Sequence, residues 1–100
     1  MNIIQEIFDK VKDKYSLLLT DTSKLADEGF TISVPVICGE SELGRFWLYC
    51  EDEEQDPLLV FSYEFSESRG GGYSHCHPYG VEQSVDYIEQ FMNCKAEFFK

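Results

Sequence analysis

The hydrophobic period of this chain changes twice, and that change limits the fold more than any other feature. Near the N-terminus Ile3, Ile4, Ile7, Phe8, Val11 and Tyr15 recur at intervals of three and four. That repeat gathers apolar side chains on one face of an α-helix. Further on, Phe30, Ile32, Val34, Val36 and Cys38 alternate with Thr31, Ser33, Pro35 and Ile37, which is the period of a half-buried strand. The helical period returns in Val81, Val85, Ile88, Phe91 and Met92, with Tyr87 at the border. Helical periods at both ends and strand periods between them predict one α+β domain, residues 1–100. In it an antiparallel three- to four-stranded meander packs both helices on one face.

The remaining segments fit that plan. Asn2 can cap the first helix. Leu17, Leu18 and Leu19 run into Thr20-Asp21-Thr22-Ser23, whose side chains bond their own backbone in turns and caps. Lys24–Glu28 is expected to form a short helical turn closed by Gly29. Pro35 lacks a ladder donor, which predicts that its strand lies at an edge or carries a bulge. Residues 39–44 predict a hairpin loop, and residues 45–50 (Arg-Phe-Trp-Leu-Tyr-Cys) an aromatic-rich strand. After the acidic turn of residues 51–57, residues 58–65 alternate again, with Leu59, Phe61, Tyr63 and Phe65 on one side. Gly70, Gly71 and Gly72 predict a strongly turned or flexible loop. Residues 73–77 are expected to form a fourth short strand, broken by Pro78 and Gly80. The last helix runs from about Val81 to Met92 with Asn93 as its C-cap. Phe98 and Phe99 suggest a tail that packs.

A chain of 100 residues has room for one core. Its apolar content of 43% suits a globular fold rather than disorder. No apolar run approaches the ~20 residues of a membrane-spanning helix. The first residues mix Glu6, Asp9, Lys10, Lys12, Asp13 and Lys14 into the apolar pattern, unlike a secretory leader. The expected compartment is the cytoplasm. There Cys38, Cys50, Cys76 and Cys94, which form no CxxC pair, are expected as free thiols.

The net charge is −11, from 19 acidic and 8 basic side chains. Phosphate recognition needs a basic patch, so nucleic acid and anionic membrane are poor partners for this chain. A basic protein, steered in by the opposite field, is a good one. Between Glu40 and Glu67 nine acids face the single base Arg45. The acidic loops Glu40, Glu42 and Glu51, Asp52, Glu53, Glu54, Asp56 are the candidate docking residues, with Trp47 and Tyr49 as apolar anchors. The plain alternative is a solvated turn that protects a sheet edge. The DxDxDG spacing of a calcium loop is missing, Arg69-Gly70-Gly71-Gly72 lacks the rest of a phosphate-binding loop, and the sequence calls for no cofactor.

Both histidines lie in Tyr73-Ser74-His75-Cys76-His77-Pro78. On a strand His75 and His77 share one side and Cys76 takes the other. Two imidazoles at that spacing suit Zn²⁺ or Cu²⁺, but a complete site needs a further ligand. The alternative is structural, with the imidazoles bonding nearby backbone where the strand ends.

His75-x-His77-Pro78, followed by Val81-Glu82-x-x-Val85-x-Tyr87-Ile88-Glu89-x-Phe91-Met92, resembles the C-terminal part of small acidic bacterial proteins. Families of that kind are encoded beside secreted polymorphic toxins and resemble immunity proteins. The resemblance covers roughly residues 75–92, and the aromatic meander agrees with it only in style. It implies a binder that neutralises a toxin, with no catalytic residue to carry over. Two other readings stand beside it: a small metal-binding protein or metal-dependent enzyme built on His75, Cys76 and His77, and a homodimer joined through an open sheet face or edge strand.

Overall fold

The computed structural model describes residues 3–21, 35–50 and 58–97, with the backbone alone at residues 20 and 21. Helix α1 (Ile3–Val11) is followed by strands β1 (Leu18–Asp21), β2 (Pro35–Ser41), β3 (Gly44–Cys50) and β4 (Leu59–Phe65). A short 3₁₀ turn (Glu67–Arg69), β5 (Tyr73–Cys76) and helix α2 (Gly80–Met92) complete the order. The strands form one five-stranded antiparallel sheet in sequence order, β1 to β5. The α+β architecture agrees with the sequence, and the sheet has one strand more than the three or four expected.

The extra strand is β1. Its residues show no alternation, and two of them, Thr20 and Asp21, belong to the run expected to form a turn or cap; instead Leu18 pairs with Cys38, Leu19 with Ile37, Thr20 with Val36 and Asp21 with Pro35. This pairing also corrects the expectation for Pro35. β2 is flanked by β1 and β3 and is not an edge strand. Pro35 is tolerated because it is the first residue of β2, the other position where a missing ladder donor costs little. Residues 22–34, including the expected turn at residues 24–29 and the first half of the expected strand at residues 30–38, lie outside the described residues.

Both helices pack on one sheet face. Ile4, Ile7 and Val11 of α1 and Ile88 and Phe91 of α2 are fully buried against Ile37, Phe46, Leu48 and Phe61. Phe46 and Phe61 stack at 4.9 Å, and Phe91 meets them edge-on at 5.5 and 6.0 Å. Burying each of these rings stabilises the fold by ~1.5–3 kcal/mol. The surface ion pair Arg45–Glu64, with side chains 46% and 45% exposed, contributes at most ~1 kcal/mol. The aromatic core decides the fold.

The end of α2 closes as expected at Asn93. Its side-chain amide donates to the Glu89 carbonyl at 2.8 Å and to the Tyr15 hydroxyl at 2.9 Å, which ties the two helix ends together. Cys94 follows at φ 58°. Its N–H bonds to the Phe91 carbonyl, and the Lys95 N–H reaches back to Gln90. This is a Schellman closure with cysteine where glycine is usual. Ala96 is buried beyond it, so the start of the tail does pack; Phe98 and Phe99 lie outside the described residues.

Candidate functional site

The acidic candidates are placed only in part. Glu40 is the penultimate residue of β2 and Glu42 sits in the hairpin turn that follows, both exposed. Glu51, Asp52, Glu53, Glu54 and Asp56 lie outside the described residues. In the ladder Glu40 stands opposite Arg45, and Arg45 opposite Glu64. The Arg45 guanidinium donates to Glu64 at 3.2 Å and lies 5.1 Å from the centre of the Trp47 ring. The base closest to the hairpin carboxylates is thus already engaged.

Trp47 and Tyr49 face away from the helices, as their alternation with Phe46 and Leu48 requires. That face is not open at its centre. Val36 is 0%, Trp47 4%, Val60 4% and Ser62 5% exposed. Trp47 is buried, with Arg45 over its ring and Tyr73 at 6.2 Å. Tyr49 is half-buried. A depression of about 440 Å³ lies beside Trp47, floored by Leu18 and Cys38 and rimmed by Glu40 and Arg45.

The acidic side of α2 is a further candidate that the apolar period of the helix conceals. Glu82, Asp86 and Glu89 follow one another at intervals of four and three, so they line one side of the helix. The helix contains no basic residue. Glu82 and Asp86 are exposed, and Glu89 lies 3.8 Å from Lys14 of the α1 side. The signal is present in the sequence, interleaved with the apolar pattern of the same helix.

At the other edge of the sheet, His75 pairs with Ser62 on β4, and His77 is the first residue past β5. The two imidazoles are exposed, with ring centres 5.3 Å apart. His77 Nδ1 lies 3.0 Å from the Leu59 carbonyl oxygen. Cys76 turns to the helix side, half-buried against the core, where burial pushes its thiol up to about 11. Its S–H faces the Phe61 carbonyl at 3.9 Å. Among the described residues no group of three or more His, Cys, Asp or Glu converges on a metal position. Nor is any described helix long and apolar enough to cross a membrane. Comparison with family models, with curated proteins and with solved structures finds no match for this chain.

Proposed function

We propose that this chain is a protein-binding module that captures a basic partner through its acidic surface, as an immunity-type inhibitor of a basic toxin or nuclease in a bacterial cytoplasm. One observation carries the reading: a net charge of −11 on 100 residues, with carboxylates presented from separate rigid elements. Glu40 and Glu42 stand at the β2–β3 hairpin and Glu82 and Asp86 on α2. The bases Lys12, Lys14 and Arg45 already lie within 4 Å of carboxylates of the same chain. Such a field raises the encounter rate with a cationic protein and repels anionic competitors.

The depression beside Trp47 adds a local feature. Its apolar floor and the Glu40 rim suit the aliphatic stem and charged head of a partner's lysine or arginine. Trp47 has little surface to offer, so the carboxylates carry the docking. The acidic tract at residues 51–56 lies outside the described residues and enters the proposal by its charge alone. No residue is assigned a catalytic role.

The test is capture by the immobilised chain from lysate of its native host at low salt, with elution by high salt and identification by mass spectrometry. The expected result is a basic protein held at low salt, released by high salt, and lost when Glu40 and Glu42 are changed to lysine together with Glu82 and Asp86. Retention indifferent to both salt and charge reversal overturns the reading.

A further inference from the structure

We infer that His75 and His77 form a two-imidazole chelate for a divalent transition metal ion, with Cu²⁺ the best fit. This does not depend on the protein-capture reading. Three observations converge on it. The residues are two apart at the end of an edge strand: His75 lies in β5 and His77 directly after it, held by the Leu59 carbonyl of β4. The ring centres are 5.3 Å apart. Two imidazoles bound side by side to one ion, with metal–nitrogen bonds near 2.0 Å, have centres about 4.5–5 Å apart. Small side-chain rotations close that difference.

The third observation concerns the proton on His77. Its Nδ1 faces the Leu59 carbonyl oxygen at 3.0 Å. A carbonyl only accepts, so Nδ1 carries the hydrogen and Nε2 of the neutral ring keeps its lone pair. This backbone anchor is the usual support of a metal-binding histidine: it fixes the ring and makes the other nitrogen a better donor.

The intervening Cys76 takes no part, because it faces the core. Among the described residues no third His, Cys, Asp or Glu joins the pair, so the donors they supply are the two imidazole nitrogens. This two-nitrogen donor set differs from that of a structural zinc centre with four protein ligands. Among first-row divalent ions it favours Cu²⁺. The negative field of the chain concentrates cations around it.

Trp47 makes the site readable. It is the only tryptophan. It pairs with Ser62, which pairs with His75, so it lies two strands away, roughly 10 Å at the usual strand spacing. Bound Cu²⁺ should quench its fluorescence at that range. The untagged chain is titrated with Cu²⁺ alone, in parallel with His75→Ala, His77→Ala and Cys76→Ser. The expected result is saturable quenching at one ion per chain, weakened by at least roughly tenfold in each histidine variant and unchanged in Cys76→Ser. The electron paramagnetic resonance spectrum should show coupling to two nitrogens. His75 is exposed, so His75→Ala leaves the core untouched. An unchanged titration in His75→Ala, or a spectrum with oxygen ligands only, overturns the proposal and assigns the copper to surface carboxylates.

Discussion

Gly39 of β2 lies directly opposite Phe46 of β3, and the edge of the Phe46 ring occupies the space that a side chain at Gly39 would need. A Cβ at this position would also come within 2.7 Å of Leu17. The pair joins the hairpin to the aromatic core, since the ring that crosses Gly39 also stacks on Phe61 and meets Phe91. Gly39→Ala should therefore cost about 1–3 kcal/mol by overpacking. Urea unfolding followed by Trp47 fluorescence measures it. A cost near zero would show that the Phe46 ring can move aside.

The complementary change empties the same space. Phe46→Ala should cost about 3–5 kcal/mol, because it removes a fully buried ring and leaves a cavity between Phe61 and Phe91. Folded domains are stable by only ~5–15 kcal/mol, so this variant should have a markedly lower urea midpoint. Phe46→Leu should retain part of the loss.

Cys94 offers a sharper comparison of neighbouring substitutions. Its φ of 58° places a branched-chain-free but Cβ-bearing residue in the left-handed region, which costs roughly 1–2 kcal/mol relative to glycine. Cys94→Ala keeps that cost and Cys94→Gly removes it. Both lose the thiol's partial packing against the core. The glycine variant should be the more stable of the two by about 1 kcal/mol, measured by thermal unfolding.

Cys76 sets an alkaline limit. Burial raises its thiol from 9.0 to about 11. In the unfolded chain the thiol ionises first, so its contribution is fully present below pH 9 and is lost as pH rises toward about 11. Wild type should lose stability across that window and Cys76→Ser should lose less of it. At neutral pH Cys76 should also react slowly with iodoacetamide in the native chain and quickly after unfolding.

The two helices, the aromatic strands and the side to which each residue points were legible in the sequence because apolar period and burial coincide there. Phe46 and Leu48 against Trp47 and Tyr49 is the clearest case. β1 was not legible. Leu18, Leu19, Thr20 and Asp21 carry no alternation, and what makes them a strand is pairing with β2, a tertiary effect. Pro35 misled for a related reason: a proline argues against a central strand only in its interior. Of the candidate sites, the spacing of His75 and His77 already placed them on one side. The Leu59 carbonyl that selects the His77 tautomer is brought in by the β4–β5 ladder and has no local signal. The burial of Trp47 on the face away from the helices is likewise something that alternation alone does not reveal.

The central claim is that charge drives the capture of a basic partner. The most direct measurement is the association rate with the basic protein retained from host lysate, followed by stopped-flow fluorescence over a range of salt concentrations. The chain is compared with its Glu40→Lys, Glu42→Lys, Glu82→Lys, Asp86→Lys variant. The account predicts a rate that falls roughly 10- to 1,000-fold from low to high salt, and a variant that is slower at low salt and depends less on salt. A rate insensitive to salt, or a variant as fast as the unchanged chain, would contradict it.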